Sequence, residues 1–481
     1  MMQWMRKLGM DGAIAYTFLA RATAIIGSTG TVLLIVHSLS PTEQGYYYTL
    51  LSLVSLQLVF ELGFSFVIQQ LAAHECVHLT LSPRGIVTGD ARALARLAST
   101  LQLSLRWYTR AAIAMGILLA PLGFLFFRNH DGAGGSVMTG SVAWQLPWLL
   151  AVLASMAGLW ALPFYSFLEG CGEVRAVAMM RLRQAIAAAA FAWGAMLLHR
   201  GLYAPALVIV GQTAMGLLFV ASRRQLLLQL LRHRASAAAI DWMSEVWPFQ
   251  WRIAVSWLCS YFTMQVFIPI MFAMRGAVEA GQLGMSLSIS GYMTVLVLSW
   301  TSTKATPFGR MIARGEFVAL DHLFIRTLQQ SLAVFSVIAL AGVSGVFALG
   351  SLSPHLAHRM VSPGLFALLM VAACGNCIIQ SLAIVLRAFK REPFLLQSIL
   401  VAALTLLLAS ATARPWGNRG AVMSYLAATA CVGLPIAFAI YLRARRRYLI
   451  SRVAAGAFPV QCNSLPALET RCLNTRQGEA A

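Results

Sequence analysis

Long apolar runs constrain the fold of this chain more than any other feature of its sequence. Hydrophobic residues make up 59% of the 481 residues and charged residues 11%, which is more apolar surface than a water-soluble core can bury. A helix needs about 20 apolar residues to cross the hydrocarbon of a bilayer. By that measure the sequence contains twelve candidate spans, which are 13–38, 45–71, 109–127, 145–168, 184–199, 202–221, 247–275, 281–303, 328–350, 363–386, 394–412 and 419–442. The sequence therefore predicts an all-α, polytopic membrane protein.

Basic residues are distributed unevenly between the two sides of these spans. If the N-terminus lies inside, the inside segments hold 29 lysines and arginines, and the outside loops hold five, at Arg128, Arg200, Arg359, Arg414 and Arg419. Because cytoplasmic loops carry an excess of Lys and Arg, both termini are predicted to be cytoplasmic. The same distribution accounts for the net charge of +20 without a basic domain, so no nucleic-acid partner is predicted.

The two halves of the sequence resemble each other. Arg21 and Arg252 lie near the starts of the first and seventh spans, 231 residues apart. The motifs Glu43-x-Gly45 and Glu279-x-Gly281 open the second and eighth spans, 236 residues apart. Offsets close to half the chain indicate a parallel repeat of six spans, whose axis runs along the membrane normal.

This repeat predicts the domain organisation. We expect two six-helix bundles around a central cavity, one over residues 1–240 and one over 241–452. The remaining residues, 453–481, are polar and poor in aromatic side chains, and are predicted to be a disordered cytoplasmic tail.

Polar and ionisable side chains within the spans are candidate site residues, because they are costly in hydrocarbon. Arg21 and Glu61 fall at similar depths in the first two spans, which favours an ion pair between them. Gln57, Glu61, Ser65 and Gln69 are spaced four residues apart and would share one face of a continuous helix. That face is predicted to line a wet cavity; the alternative is a hydrogen-bonded seam between two helices.

The second half contributes Arg252, Gln265, Asn376 and Gln380, with no acidic residue inside a span. Charge within the membrane is therefore mainly positive, which favours an anionic substrate such as a phosphate or pyrophosphate that arginine can grip with two hydrogen bonds. Alternatively, Arg252 reaches the headgroup region beside Trp247. The candidate substrate-binding residues are Arg21, Arg252, Gln57, Glu61, Gln265 and Gln380.

Two short motifs have the spacing of metal ligands. His74-Glu75-Cys76-Val77-His78 matches the H-E-x-x-H pattern of zinc proteases, but it lies where the second span leaves the membrane, with Asp90 as the one nearby candidate for a third ligand. Cys374 and Cys377 lie in mid-span, where small residues usually serve helix packing. We interpret both as chance matches and predict no catalytic residue, no metal and no cofactor.

Five short stretches carry a family resemblance: Leu39–Tyr47 (LSPTEQGYY), Phe60–Gly63 (FELG), Leu168–Gly170 (LEG), Trp247–Arg252 (WPFQWR) and Glu279–Gln282 (EAGQ). In their order and spacing they resemble the Wzx-type oligosaccharide flippases of the multidrug/oligosaccharidyl-lipid/polysaccharide (MOP) exporter superfamily. The resemblance extends over residues 1–310, after which the topology alone agrees.

This resemblance implies two bundles around a cavity that opens alternately to each side of the bacterial inner membrane. It implies a substrate, undecaprenyl-pyrophosphate-linked oligosaccharide repeat units for O-antigen or exopolysaccharide synthesis. It also implies contact with membrane lipids, and a polysaccharide polymerase and chain-length proteins as partners. In that role Arg21 and Arg252 would grip the pyrophosphate, and Glu61 would pair with Arg21 or take part in ion coupling.

Two other functions fit part of the sequence. A MATE-like drug/cation antiporter of the same superfamily would favour an acidic cavity, and Glu61 is the acidic residue placed deep in a span. A membrane polymerase or ligase acting on lipid-linked glycans would need sizeable external loops with reactive side chains. The longest predicted outside loop, 128–144, is instead rich in Gly, Ser and Ala around Asp131.

Overall fold

A computed structural model describes residues 12–77, 79–81, 87–130, 142–233, 247–352, 358–389 and 394–456. The first half of the chain contains helices, one short antiparallel hairpin of two strands and one 3-10 turn, Gly201–Tyr203. The elements are α1 (Gly12–Ser38), α2 (Pro41–Val54), α3 (Gln57–Glu61), α4 (Phe64–Cys76), β1 (Leu79–Leu81), β2 (Val87–Gly89), α5 (Ala91–His130), α6 (Gln145–Gly170), α7 (Val174–Leu197), α8 (Ala204–Ser222) and α9 (Arg224–Arg232).

The second half is helical throughout its described residues, and its last span contains a π-helical turn, Ala428–Gly433. Its elements are α10 (Trp247–Met264), α11 (Phe267–Arg275), α12 (Ala277–Ser302), α13 (Ala305–Ala313), α14 (Phe317–Leu352), α15 (Pro363–Arg387), α16 (Leu395–Trp416), α17 (Asn418–Ala427) and α18 (Leu434–Gly456). The predicted all-α fold is thus confirmed. The expected domain boundary at 240 and residues 457–481 of the expected tail lie outside the described residues, whereas residues 453–456 of that tail form the end of α18.

Within the described chain, nine helices are long and apolar enough to cross a membrane. They coincide with nine of the predicted spans, so the chain is a multi-pass membrane protein. The second predicted span is divided among α2, α3 and α4, and the seventh between α10 and α11, so neither is one continuous helix. The fifth span is α7, a helix that also carries Arg175, Arg181 and Arg183.

The start of α2 is set by its own sequence. Ser40 accepts a hydrogen bond from the Glu43 amide through its hydroxyl (3.2 Å), and the Glu43 carboxylate accepts one from the Ser40 amide (2.8 Å). This reciprocal capping box, with Pro41 at the first helical position, satisfies two otherwise free backbone donors. The helix therefore begins at Pro41 rather than at 45, and Glu43 of the repeated motif serves as a cap.

Each half packs largely within itself. In the first half, α1 runs along α7, and α8 packs against both α7 and α6. In the second half, α10 packs against α16, and α15 packs against α12 and α14. The helix packed along α1 is therefore that of the fifth span, which decides where the polar residues of α1 face.

The two halves meet where the repeated motifs lie. A Cβ atom on Gly45 would overlap the backbone carbonyl of Ala277, and a Cβ atom on Gly281 would stand 2.8 Å from the Gly45 amide nitrogen. On the next turn, a Cβ on Gly284 would stand 2.5 Å from the Cβ of Tyr48. Glycine is therefore required for α2 and α12 to approach this closely.

Polar contacts reinforce this junction. The Gln44 amide donates to the carbonyl oxygens of Gly281 (3.0 Å) and Arg359 (2.9 Å), and the Ser52 hydroxyl donates to the carbonyl of Gln265 (2.6 Å). The junction lies toward the end of the molecule formed by the α1–α2, α11–α12 and α14–α15 connections, which we term the closed end. At the opposite end, termed the open end, the ion pairs Arg96–Glu75, Arg223–Glu173 and Arg445–Asp321 each join residues of one half.

Candidate substrate cavity

A cavity of about 550 Å³ lies in the first half, between α1, α2, α7 and α8, and is closed on one side by α12. Small side chains create it, because Ala185, Ala188, Ala189 and Ala192 form one face of α7 at helical spacing. We term it the Arg21 cavity. Its polar lining consists of Thr17, Arg21, Ser28, Thr31, Tyr47, Arg181, Gln184, Gln212 and Tyr292.

The cavity is cationic. Its lining includes two arginines and, among the described residues, no carboxylate. Arg181 is paired, since its Nη2 lies 2.6 Å from the Glu169 carboxylate at the end of α6. Arg21 is exposed and makes no ion pair within 4.0 Å with any residue that the structure describes. One uncompensated guanidinium thus faces the interior, about 14 Å along the helix from Gly12 at 1.5 Å per residue.

Several neutral groups line the same cavity as Arg21 and can still accept hydrogen bonds. The hydroxyls of Ser28 and Thr31 donate to carbonyl oxygens of their own helix, at 2.8 Å each. Gln184 donates its amide to the Gln212 carbonyl (2.9 Å), which leaves its side-chain oxygen available as an acceptor. Guanidinium, hydroxyl and amide groups together suit a ligand that is anionic at one end and rich in hydrogen-bonding groups.

The expected ion pair between Arg21 and Glu61 is not formed. The buried Glu61 carboxylate instead accepts a hydrogen bond from the Ser65 hydroxyl at 2.6 Å. The reason is packing: α1 lies along α7, whereas α3, which carries Glu61, contacts α5 and α10. Equal depth in the membrane did not make the two residues neighbours.

The expected continuous polar face of the second span is also wrong. Leu62 and Gly63 both adopt left-handed backbone conformations, with φ of 51° and 63°, and they interrupt the helix between Glu61 and Ser65. The Ser65–Glu61 hydrogen bond bridges this break. Broken helices at membrane depth are tolerated where they are buried in protein or line a cavity, so the break marks this region as part of the protein interior.

The other predicted residues occupy different places. Gln57 is half-buried at the start of α3, and Gln265 occupies the break between α10 and α11, where its carbonyl accepts the Ser52 hydroxyl. Gln380 lines a second pocket of about 310 Å³ between α10, α15 and α16. The side chain of Arg252 lies outside the described part of the chain. The structure therefore places Arg21 and Gln380 in different cavities and Glu61 in neither.

Sequence reasoning missed Arg181 and Gln184. The apolar run of the fifth span was taken to begin at 184, whereas α7 begins at Val174. A signal was present, because Arg181, Gln184 and Ala188 recur at helical spacing just before and within the alanine-rich run.

The glutamate of the H-E-x-x-H motif, at the end of α4, forms an ion pair with an arginine. Glu75 is buried and receives a hydrogen bond from Arg96 Nε at 2.8 Å, and His74 Nδ1 lies 3.7 Å from the same carboxylate. His78 lies outside the described residues. Glu75 thus ties α4 to α5.

No protein-family model and no curated protein matches the chain significantly. Solved structures do. An inward-facing multidrug-resistance MATE transporter of the MOP superfamily aligns over 90% of this chain and 94% of its own, with 12% identity and a TM-score of 0.61. The lipid II flippase MurJ in an inward closed conformation aligns over 93% of both chains, with 13% identity and a TM-score of 0.56. The Vibrio cholerae MATE transporter VcmN, as a mutant, aligns over 91% of this chain and 97% of its own, with 16% identity and a TM-score of 0.53.

These likenesses span nearly the full length of each protein. They show that the chain has the fold of the MATE transporters of the MOP superfamily, a fold that it also shares with MurJ.

Proposed function

We propose that this protein is a flippase that moves undecaprenyl-pyrophosphate-linked oligosaccharide repeat units across the bacterial inner membrane for cell-surface polysaccharide synthesis. The observation that carries the proposal is the uncompensated Arg21 guanidinium in a cavity that no described carboxylate lines. A diphosphate is the strongly anionic part of such a lipid, and arginine binds phosphate oxygens bidentately. In this role the protein is a transporter rather than an enzyme, and a polysaccharide polymerase and chain-length proteins are its expected partners.

The arrangement of the halves supports alternating access. The α2–α12 junction holds the closed end together, whereas the ion pairs of the open end stay within each half. The excess of basic residues assigns the open end to the cytoplasm. From this arrangement we infer an inward-facing conformation, the state that would load a lipid made on the cytoplasmic side.

The likeness to the solved structure of MurJ supports a lipid-linked substrate. MurJ is a lipid II flippase, and its fold accommodates the transfer of a lipid-linked molecule. The cationic Arg21 cavity makes the same kind of substrate suitable for this chain, because a pyrophosphate would supply the negative charge that Arg21 lacks.

The test is transbilayer movement of a fluorescent undecaprenyl-pyrophosphate oligosaccharide in proteoliposomes. Wild-type protein should move it, Arg21→Glu should abolish movement, and Arg21→Lys should slow it about tenfold, because a lysine cannot bind bidentately. Arg183→Glu, an exposed arginine of α7 outside the cavity, is the matched control and should transport normally. Transport by Arg21→Glu at the wild-type rate would refute the binding role.

A MATE-like drug/cation antiporter is the second candidate, favoured by the buried Glu61 carboxylate and by the MATE structures that share the fold. Cationic drugs need a compensating negative charge, and Glu61 is the group that would supply it. Efflux of a fluorescent organic cation that is lost in Glu61→Gln, with no movement of the lipid-linked sugar by the wild type, would favour this function.

A further inference from the structure

The second half contains a polar pocket whose chemistry differs from that of the Arg21 cavity. It has a volume of about 310 Å³ and lies between α10, α15, α16 and the π-helical turn, with Leu58 of α3 at its edge. Its neutral polar lining consists of three amides, those of Asn376, Gln380 and Gln397, and of the hydroxyls of Thr263, Ser398 and Thr429. We term it the amide pocket.

Two of these amides have no partner within the described chain. Asn376 and Gln380 lie one turn apart on α15, both are half-buried, and neither makes a hydrogen bond with another described residue. Gln397 donates to the Gly433 carbonyl at 3.0 Å, which leaves its side-chain oxygen as an acceptor. Because both are half-buried and line the pocket, their donors and acceptors are open to whatever fills it, whereas a seam that only locks helices together would pair these groups with each other.

The charge of the pocket narrows the ligand class. Among the described residues no carboxylate lines it, and its one cationic residue is Arg387, in the last turn of α15. A cation would find no counter-charge there. The free groups are amides that both donate and accept hydrogen bonds, as the hydroxyls of a sugar also do.

The shape of the pocket agrees with this class. Pockets for small ligands run from about 300 to 1,000 Å³, so this pocket suits a mono- or disaccharide. The buried Phe394 contributes an apolar wall against which the C–H face of a sugar ring can pack.

Both cavities adjoin the boundary between the halves. Tyr292 of the second half lines the Arg21 cavity, and Leu58 of the first half lines the amide pocket. Leu58 belongs to α3, the short helix between the interruptions of the second span. Each cavity therefore has a wall residue contributed by the other half.

We propose that the amide pocket is a carbohydrate subsite, which binds sugar rings of the transported molecule through Asn376, Gln380 and Gln397 while Arg21 binds its diphosphate. This inference rests on the proposed function and adds a division of labour between the halves. The first half recognises the charge common to all polyprenyl-diphosphate lipids, and the second half recognises the glycan.

The test separates the two chemistries with two probes, measured on the full-length protein in detergent. One probe is the oligosaccharide fraction released by mild acid from the lipid-linked pool of the cell that makes this protein, followed by saturation-transfer NMR. The other is inorganic pyrophosphate, followed by calorimetry. The variants are Asn376→Leu, Gln380→Met and Arg21→Ala, with Gln225→Met, an exposed glutamine of α9, as the matched control.

Wild type and Gln225→Met should bind both probes. Asn376→Leu and Gln380→Met should each weaken oligosaccharide binding about tenfold, the loss of roughly one hydrogen bond, and leave pyrophosphate binding unchanged. Arg21→Ala should show the reverse pattern. Retained pyrophosphate binding also proves that the amide variants are folded.

Two results would overturn the subsite. Either the released oligosaccharide fails to bind the wild type, or it binds both amide variants as tightly as the wild type. The proteoliposome assay keeps the two proposals apart. If the wild type and both amide variants flip the lipid-linked sugar equally well, the flippase stands and the subsite fails; if the wild type does not flip it, the proposed function fails.

Discussion

The side-chain amide of Gln44 donates a hydrogen bond to the backbone carbonyl of Arg359 at 2.9 Å, joining residues 315 positions apart in the chain. Gln44 is 1% exposed and Arg359 6% exposed, and the Arg359 guanidinium turns back to within 3.4 Å of the Gln44 side-chain oxygen and the Val36 carbonyl. This cluster connects α1, α2, α12 and the segment before α15. It is the polar latch of the closed end.

Removing the latch should favour opening toward the outside. Gln44→Leu deletes the two hydrogen bonds from Gln44 to Gly281 and Arg359, each worth about 1 kcal/mol, so the outward-open population should rise about tenfold or more. The measurement is labelling of Met285→Cys, a buried position beneath Gln44, by a membrane-impermeant maleimide in a background without other reactive cysteines.

Gln102→Leu is the matched control for this experiment. Gln102 also donates to backbone carbonyls, those of Leu230 and His233, but all of these lie within the first half. Its loss should leave labelling of Met285→Cys unchanged. Equal labelling of Met285→Cys with and without Gln44→Leu would contradict the assignment of Gln44 as a gate residue.

Gly45→Ala should prevent the closed end from closing. The added Cβ would overlap the Ala277 carbonyl, and because backbone atoms form the obstacle, the halves must separate at a cost of about 1–3 kcal/mol. We expect transport to be lost and labelling of Met285→Cys to become nearly complete. Gly291→Ala, where no atom lies within 4 Å of the new Cβ, should behave as wild type; normal transport in both would show that the contact is dispensable.

The break in the second span makes a prediction about stability. Gly63 has φ of 63°, a conformation that costs an L-residue about 1–2 kcal/mol, so Gly63→Ala should lower the thermal midpoint of unfolding by a few degrees. Leu62→Gly relieves the strain at φ of 51° but also removes a half-buried side chain, so its midpoint should change less than that of Gly63→Ala. Intrinsic fluorescence of the detergent-solubilised protein measures both midpoints. The reference is Gly194→Ala, a helical position of α7 where no atom lies within 4 Å of the new Cβ, which should leave the midpoint unchanged or raise it. A rise for Gly63→Ala would rule out the left-handed backbone.

The thiols of Cys76, the last residue of α4, and Cys171, the residue after α6, should react unequally. Their sulfur atoms lie 3.0 Å apart, and the hydrogen bond between them lowers the pKa of Cys76, whereas that bond and burial raise the pKa of Cys171. A lower pKa places more thiolate at a given pH, so alkylation of Cys76 should rise at lower pH than in a Cys171→Ala variant, which has no hydrogen-bond donor at this position. Mass spectrometry of tryptic peptides follows the rate; superimposable pH profiles would show that the two thiols do not interact.

Hydropathy located the spans well because apolar length is a property of each segment alone. It could not place the break at Leu62, because the run from Phe60 to Phe64 is apolar apart from Glu61, and Gly63 is its single local signal. The start of α7 at Val174 was missed because its first turns carry arginines, and a hydropathy pattern does not distinguish charged residues on a cavity-facing helix from a polar loop between spans.

Contacts between spans were harder still to predict. Arg21 and Glu61 were expected to pair from their depth, but depth does not say which helices are neighbours, and α1 packs along α7. The repeated Glu-x-Gly motifs predicted that the two halves resemble each other. That the motifs contact each other at the junction could not be predicted, because this depends on the symmetry of the whole fold. Nothing in the spacing of Asn376, Gln380 and Gln397 indicated that they line one pocket.

The Gly45–Gly281 contact joins equivalent positions of the two repeats, and equivalent positions touch where a two-fold axis passes between them. Such a surface is self-complementary, so a six-span ancestor that carried it would pair with its own copy. Fusion of two genes of that kind would fix the dimer in one polypeptide. Selection would then keep glycine at the positions on the axis, while residues away from it were free to diverge.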